Sequence, residues 1–211
     1  MYNVLVAVPT YETIKTECYE GIWSLNSQED IKISFKGAVG YDCARARNEI
    51  VKNFLSSDEN YTHLWMIDSD TVLPAGMFLT DEYYLMHLLD KKCDILLGWY
   101  PRKDDPGRTE LFMEGYDGYP AAARWNCSEI SRWSREFIPV KGGGFGCAIL
   151  SRKVLETLEY PYFKYESRDD GTFMSEDLYF CDKARNAGFQ IWTCRDLGCD
   201  HIGRTRVKAF G

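Results

Sequence analysis

Two aspartates, Asp68 and Asp70, directly follow the short apolar segment His63–Ile67 and are separated only by Ser69. Apolar segments of this length between polar residues are typical of buried strands. In an extended backbone, side chains two residues apart project to the same side. Two adjacent carboxylates repel each other unless a cation lies between them. The spacing therefore favours a hard divalent metal with oxygen ligands, shared with a phosphate-bearing substrate. A surface turn capped by Asp70 is the structural alternative.

Two more segments carry side chains that suit a nucleotide. Val8–Glu12 follows the first predicted strand and offers a proline, a threonine hydroxyl and a tyrosine ring. Arg45 and Arg47 stand at the start of a predicted helix, and guanidinium groups suit a diphosphate or a uracil carbonyl. An ordinary turn and a solvated helix face are the alternatives. The run Gly142–Gly146 lets a ligand approach the backbone closely, although a hairpin would also explain it.

Acidic residues and a histidine in the second half add further candidates. Glu176 and Asp177 follow Ser175 at a predicted helix start, where the helix dipole by itself favours acidic residues. One of them is a candidate general base toward an acceptor hydroxyl. His201 is a candidate third metal ligand beside the two aspartates.

Strands and helices alternate along the chain, which predicts an α/β fold. The predicted strands are Val4–Val8, Ile31–Phe35, His63–Ile67, Asp94–Trp99, Phe137–Val140, Cys147–Leu150 and Gln190–Thr193. The predicted helices are Glu17–Leu25, Ala44–Leu55, Tyr83–Leu89, Lys153–Leu158 and Glu176–Ala187. Alternation with short connections predicts a mostly parallel sheet with helices on both faces. Residues 101–136 lack clear periodicity, which predicts a long loop or a short hairpin.

Length, charge and cysteine usage narrow the class of protein. A chain of 211 residues fits one domain. A net charge of -7 without a long basic run argues against nucleic-acid binding. No apolar stretch is long enough to span a bilayer, and the first residues do not resemble a signal peptide. Eight dispersed cysteines without a CxxC motif predict free thiols and a cytoplasmic location.

Taken together and in this order, the segments resemble the GT-A glycosyltransferases, which transfer a sugar from a nucleotide sugar. The resemblance rests on VPTYE (8–12), ARARNEIV (44–51), WMIDSD (65–70), GGGFGCAILSR (142–152), SEDLYFCDKARNAGF (175–189) and CDHIG (199–203). It spans nearly the whole chain and is similar to compact enzymes of bacteria, phages and large DNA viruses such as chlorella viruses. A viral member would act in the host cytoplasm.

The resemblance implies one GT-A domain over 1–211, with a Rossmann-like, mostly parallel sheet and a smaller antiparallel part in the second half. Residues 1–100 would form the nucleotide-binding half and 101–211 the acceptor and catalytic half. The alternative that the chain is one domain of a longer protein stays open, because its last eight residues contain no evident element.

The resemblance also implies roles for individual residues. The nucleotide-sugar site would consist of Pro9, Thr10, Tyr11, Arg47, Asp68, Ser69, Gly143 and Gly144. In that site the first three would line a uracil base, Arg47 would reach the nucleotide, and the two glycines would face donor sugar and acceptor. Asp68, Asp70 and His201 would hold Mn²⁺ or Mg²⁺, with Asp70 as the direct ligand. Asp177 or Glu176 would be the base.

The implied activity is transfer of a hexose or deoxyhexose from a nucleoside-diphosphate sugar, expected to be uridine-linked, to a hydroxyl of a glycan acceptor. Three alternatives remain. Asp68–Leu73 fits the motif of haloacid-dehalogenase-type phosphatases, with Asp68 as nucleophile, although two predicted strands precede it. A sugar nucleotidyltransferase and a non-catalytic sugar-binding module are the others. The sequence leaves open the donor sugar, the acceptor and the stereochemical outcome.

Overall fold

The computed structural model describes most of the chain and all of the candidate site residues. The described residues are 1–25, 30–74, 87–89, 93–112, 124–134, 136–167, 169, 171–203 and 206–209. The strands are β1 (Tyr2–Thr10), β2 (Ile31–Val39), β3 (His63–Ile67), β4 (Thr71–Val72), β5 (Ile95–Trp99), β6 (Arg108–Phe112), β7 (Arg124–Asn126), β8 (Phe137–Val140), β9 (Gly142–Gly143), β10 (Cys147–Ser151), β11 (Glu166–Ser167), β12 (Phe173–Met174), β13 (Ile191–Gly198), β14 (Asp200–Ile202) and β15 (Arg206–Val207). The helices are α1 (Thr16–Trp23), α2 (Cys43–Leu55), α3 (Cys127–Ile130), α4 (Arg152–Thr157) and α5 (Glu176–Asn186).

A mostly parallel sheet lies at the centre of the fold. Within the described residues it contains seven strands in the order β2-β1-β3-β10-β5-β13-β8. The strands β2, β1 and β3 are mutually parallel, as are β5 and β13. Only β10 and β8 run antiparallel to their neighbours. The predicted α/β class and Rossmann-like sheet are therefore confirmed.

Apolar clusters cover both faces of this sheet. One contains Leu64, Met66 and residues of α2, α4 and α5, and the other contains Trp65 and Ile67 together with residues of α1. The alternation along β3 has a simple cause, since successive side chains of a strand point to opposite faces. Because β3 is buried on both faces, its sequence is an uninterrupted apolar run.

Among the described residues, three small antiparallel sheets lie outside the central one, and most of their strands were not predicted from the sequence. They are β15-β14-β4, β7-β6-β9 and β11-β12. Two-residue strands such as β4 and β9 are too short to produce a periodic pattern, so only their partners reveal them. The segment predicted as irregular, residues 101–136, contributes β6, β7 and α3.

The observed bounds lie within two residues of the predicted ones for most elements, whereas β2 and β13 continue four and five residues past their predicted ends. The predicted strands His63–Ile67 and Phe137–Val140 match residue for residue. Gly188 adopts φ +89°, as expected for the residue that ends α5. The predicted helix Tyr83–Leu89 lies mostly outside the described residues, of which 87–89 are helical. All eight cysteines are free thiols.

Candidate active site

A cavity of about 220 Å³ lies where β1 and β3 end and α2 begins. It is lined by Pro9, Thr10, Tyr11, Tyr41, Asp42, Cys43, Ala46, Asp68, Ser69 and Asp70. Six of these ten residues were predicted site residues, and all six come from the segments after β1 and β3. This edge is where open α/β sheets bind ligands, because the connections after parallel strands separate there.

The segment after β1 forms one wall of the cavity. Pro9 is buried, whereas the Tyr11 side chain is 69% exposed. The Thr10 hydroxyl donates to the Thr13 carbonyl at 2.9 Å, which stabilises the turn after the strand. The Ser69 carbonyl accepts a backbone hydrogen bond from Lys15 at 2.9 Å, which joins the segments that follow β1 and β3. An exposed ring beside a cavity is available to stack on a planar ligand.

The carboxylates of the two aspartates after β3 have different partners, although both residues line the cavity. The Asp68 N–H donates to the Gly146 carbonyl at 3.0 Å, and the Thr71 N–H donates to the Asp68 carbonyl at 3.1 Å. The chain therefore turns at Asp68 instead of continuing as a strand. The carboxylate of Asp68 contacts Arg47, whereas that of Asp70 contacts Lys103.

Arg47 is the centre of a buried ionic group, which we call the inner cluster (Arg47, Asp68, Glu176 and Asp177). Its Nη2 donates to both Asp68 oxygens at 3.0 and 3.1 Å, and its Nη1 donates to Glu176 at 2.6 Å and to Asp177. The Arg47 side chain is only 1% exposed. One cation thus faces three carboxylates in a largely dry environment, where removing it would leave uncompensated charge.

The sequence accounts for the position of Arg47 on α2. The Asp42 side chain accepts the Arg45 N–H at 3.1 Å and so caps the helix start. Arg47 then lies on the buried face, next to the rings of Phe145 and Phe163, whose centroids are 5.7 and 5.8 Å from its guanidinium carbon. We predicted that Arg47 reaches the nucleotide. In the structure its terminal nitrogens contact carboxylates of the protein, so nucleotide contact stays a prediction.

Asp177 has the electrostatic properties expected of a proton acceptor near neutral pH. Burial, with the nearby charges of Glu176 and Asp68, raises the pKa of Asp177 to about 8, although Arg47 opposes the shift. Its Oδ2 accepts the Phe145 N–H at 3.2 Å, which orients the carboxylate. The Glu176 side chain is 8% exposed and that of Asp177 is 18% exposed, so Asp177 is the more accessible of the two.

A second group, the rim cluster (Asp70, Lys103 and His201), lies nearer to solvent. The Lys103 Nζ is 2.5 Å from Asp70 Oδ2, and the His201 Nε2 is 3.7 Å from Asp70 Oδ1. Pairing between β4 and β14 sets His201 opposite Thr71, and the Ile202 N–H donates to the Asp70 carbonyl at 2.8 Å. Burial opposes ionisation of Asp70, but the neighbouring His201 and Lys103 lower its pKa to about 2.

The donor atoms of the rim cluster suit a divalent cation. His201 Nδ1 is 2.9 Å from the Pro101 carbonyl, which can only accept, so Nδ1 carries a proton. In the neutral ring, Nε2 therefore presents its lone pair toward the anionic Asp70. The His201 Nε2 and Asp70 Oδ1 atoms lie 3.7 Å apart, and both are donor atoms of the kind that bind a divalent cation. Asp68, the third predicted ligand, has both oxygens on Arg47. Accordingly, no ready cluster of three or more ligating side chains occurs among the described residues.

The glycine run packs tightly against protein atoms. A Cβ atom on Gly144 would overlap the Tyr100 hydroxyl, and one on Gly143 would lie 2.7 Å from a Leu111 methyl carbon. The Gly146 N–H donates to the same Tyr100 hydroxyl at 3.0 Å. Close packing alone therefore explains why side chains are absent here. That Gly143 and Gly144 also face donor sugar and acceptor stays a prediction.

Two residues that shape the site, Lys103 and Tyr100, are not among the residues predicted for it. Lys103 precedes two aspartates in a charged turn, and nothing in that pattern singles it out. Tyr100 directly follows β5 and is 4% exposed, with its ring 4.9 Å from that of His201. Its place immediately after a predicted parallel strand is the signal that could have identified it.

Known structures support the fold, whereas sequence comparisons give no relative. The chain matches no protein-family model and no curated protein. It is similar to protein A197 from STIV, with a TM-score of 0.63 and 18% identity over 99% of this chain and 94% of that chain. At this identity the likeness shows a common fold.

Two weaker similarities involve enzymes of nucleotide sugars and glycans. Apo UDP-glucose pyrophosphorylase has a TM-score of 0.45 and 9% identity, over 91% of this chain and 72% of that chain. A glycosyltransferase involved in glycosylation of the major capsid of PBCV-1 has a TM-score of 0.38 and 11% identity, over 75% and 68%. At TM-scores below 0.5, neither similarity carries an argument about this chain. In the described part of the chain, no helix is long and apolar enough to cross a bilayer.

Proposed function

We propose that this protein is a metal-dependent glycosyltransferase. It would move a hexose or deoxyhexose from a nucleoside-diphosphate sugar, most simply a uridine-linked one, to a hydroxyl of a glycan acceptor. The observation that carries the proposal is the pairing of two different carboxylate environments at the same edge of the sheet. Asp70 is strongly ionised beside His201, whereas Asp177 has a pKa raised to about 8.

The cavity suits the nucleoside end of a donor. Its volume of about 220 Å³ is below the ~300–1,000 Å³ of pockets that enclose a whole ligand. A base and ribose would lie between the segment after β1 and the start of α2, with Tyr11 available for stacking. The phosphates would then extend toward Asp70 at the rim. Because the chain carries a net charge of -7, a diphosphate needs local positive charge to bind.

Asp70 and His201 would hold Mn²⁺ or Mg²⁺ at the rim. When bound, such an ion supplies Lewis-acid neutralisation of the charge on a departing diphosphate. The Asp70 carboxylate is suited to this task because it stays ionised at neutral pH. His201 is oriented by the Pro101 carbonyl, an arrangement typical of histidines that ligate metals.

Asp177 would act as the general base. In its ionised form it would take the proton of the acceptor hydroxyl while that oxygen attacks the anomeric carbon. A carboxylate with a pKa near the working pH is a better base than one with the ordinary value. Arg47 and Glu176 would fix the position of this side chain, since both belong to the same hydrogen-bonded group.

The phosphatase alternative gains no support from the geometry of Asp68. Both oxygens of Asp68 accept from Arg47 at 3.0 and 3.1 Å, and this ion pair makes the carboxylate a weaker nucleophile. A nucleotidyltransferase differs from a glycosyltransferase in its products. It would release pyrophosphate, whereas sugar transfer releases a nucleoside diphosphate.

The test combines ligand binding with identification of the product. Thermal-shift measurements with a panel of nucleotide sugars, each with and without Mn²⁺, should give the largest stabilisation for one nucleotide with metal. That donor, incubated with candidate glycans, should then yield a nucleoside diphosphate. Pyrophosphate as the product would favour the nucleotidyltransferase. Failure of every donor to stabilise the protein or turn over would contradict the proposal.

A further inference from the structure

Lys103 holds the position beside Asp70 that the proposed function assigns to a cation. Its ammonium lies 2.5 Å from Asp70 Oδ2, while His201 approaches the other oxygen of the same carboxylate. The side chain of Lys103 is 42% exposed and that of Asp70 is 30% exposed, so solvent reaches this ion pair. Exposed pairs are weak, typically below about 1 kcal/mol, and therefore exchangeable.

The same short segment that carries Lys103 also orients His201. Pro101 bridges to Thr109 and accepts from His201 Nδ1, and the Arg102 N–H donates to the Arg108 carbonyl at 2.9 Å. The backbone beside Lys103 is thus fixed at the rim, while its ammonium lies at the end of a flexible stem. A Cβ atom on Gly203 would lie 3.4 Å from Lys103 Cγ, so that stem runs along the β14 side of the site.

The balance of charge determines how the rim cluster responds to a divalent cation. The inner and rim clusters pair their four carboxylates with two basic side chains, Arg47 and Lys103, and of these carboxylates Asp68 and Asp70 line the cavity. A metal ion and the Lys103 ammonium cannot both bind one oxygen of Asp70, because the two cations would repel each other strongly. Arg47 is enclosed, whereas Lys103 is able to rotate about its stem.

We propose that Lys103 is an exchangeable cation of the donor site, which pairs with Asp70 in the empty protein and with a donor phosphate in the loaded one. This inference rests on the proposed function. Lys103 would compete with the metal for Asp70 before the donor binds. After binding it would contribute a charge-assisted hydrogen bond to a diphosphate oxygen. Lysine suits such a transfer because its ammonium can donate to phosphate oxygens from many directions.

The test measures binding without any sugar transfer. Isothermal titrations of Mn²⁺ alone, and of inorganic pyrophosphate in saturating Mn²⁺, compare the wild type with Lys103→Met and Lys103→Arg. Lys103→Met should bind Mn²⁺ about 2- to 5-fold more tightly, because the competitor of Asp70 is gone. The same variant should bind pyrophosphate roughly tenfold more weakly, because a charged hydrogen bond is lost. Lys103→Arg should stay near the wild type in both titrations.

Lys153→Met is the matched control. Lys153 also pairs with an aspartate, Asp94, at 2.9 Å, but it lies at the opposite end of β10. The Lys153→Met variant should change neither the Mn²⁺ affinity nor the pyrophosphate affinity. Unchanged or weaker Mn²⁺ binding in Lys103→Met, including absence of binding in both proteins, would overturn the inference, as would unchanged pyrophosphate affinity. Donor turnover by the wild type is measured separately, so a failed exchange and a failed enzyme activity are distinguishable.

Discussion

The inner cluster and the rim cluster each pair a basic side chain with an aspartate, but the inner cluster is buried and the rim cluster lies nearer to solvent. In the inner cluster, one guanidinium that is 1% exposed binds three carboxylates through several hydrogen bonds. In the rim cluster, one ammonium that is 42% exposed binds a single carboxylate. Removing one partner of a buried group leaves desolvated charge, whereas water replaces a lost partner at the surface.

The two aspartates of the Asp-Ser-Asp motif belong to different clusters. Asp68 is committed to the protein, because Arg47 occupies both of its oxygens. Asp70 is available to a ligand, because its partners are a partly exposed lysine and a histidine 3.7 Å away. Two carboxylates that are two residues apart in sequence therefore differ in surroundings, and we propose that Asp68 positions Arg47 whereas Asp70 binds a ligand.

Arg47→Met should produce the largest effect, a loss of about 3–5 kcal/mol in the free energy of unfolding. The variant leaves three carboxylates in a dry environment without their cation. Urea denaturation at pH 7 measures the change. Arg45→Met on the exposed side of the same helix should cost less than about 0.5 kcal/mol. Equal stability of the two variants would remove the distinction between a structural and an exchangeable cluster.

Asp177→Asn should lower kcat by about 10²–10⁴-fold while Glu176→Gln lowers it less, because Asp177 is the proposed base. In the wild type, kcat/KM should rise with pH toward a plateau above about 8, since the base acts only when ionised. Initial-rate measurements across roughly pH 6 to 9 give both quantities. A flat pH profile, or a larger loss in Glu176→Gln, would assign the base elsewhere.

Asp70→Ala should abolish metal-dependent release of nucleoside diphosphate, by roughly 10²-fold or more, with little loss of stability. The reason is that Asp70 lies in the rim cluster, near solvent, and its proposed role is to bind the ligand. Asp104→Ala is the control, because Asp104 is 70% exposed and pairs with Arg102 in the same turn as Lys103. Full activity of Asp70→Ala, or activity of the wild type in excess chelator, would exclude the metal role.

The two aspartates should also give opposite pH dependences of stability. The pKa of Asp70 is lowered to about 2, so its ionised form stabilises the fold above pH ~4, and this contribution decreases as the pH falls toward 2. The pKa of Asp177 is raised to about 8, so the folded protein keeps a proton that the unfolded chain loses. Stability from this group therefore decreases as the pH rises from about 4 to 8.

Denaturation midpoints across roughly pH 2.5 to 8 distinguish the two contributions. Asp70→Asn should flatten the curve below pH ~4 only, and Asp177→Asn should flatten it between about 4 and 8 only. If both variants changed the curve in the same window, the two aspartates would not lie in opposite electrostatic environments.

Much of the fold followed from local patterns. The uninterrupted apolar run His63–Ile67 predicted a strand buried on both faces, and helical spacing predicted α2. The site implied by the family resemblance united Pro9–Tyr11 with Asp68 and Ser69, and these residues do line one cavity. The two-residue strands could not be predicted in this way, since a pattern of period two needs several residues to become visible.

The sequence by itself determined the α/β class, the edge of the sheet that carries the site and the residue types available there. It did not determine which carboxylate faces which cation. That depended on Arg47 reaching Glu176, 129 positions away, and on β14 pairing beside Asp70. Such contacts arise from packing between distant segments, and burial then sets each charge. Tertiary structure alone therefore decided that Asp68 pairs with the buried Arg47 and Asp70 with the more exposed Lys103.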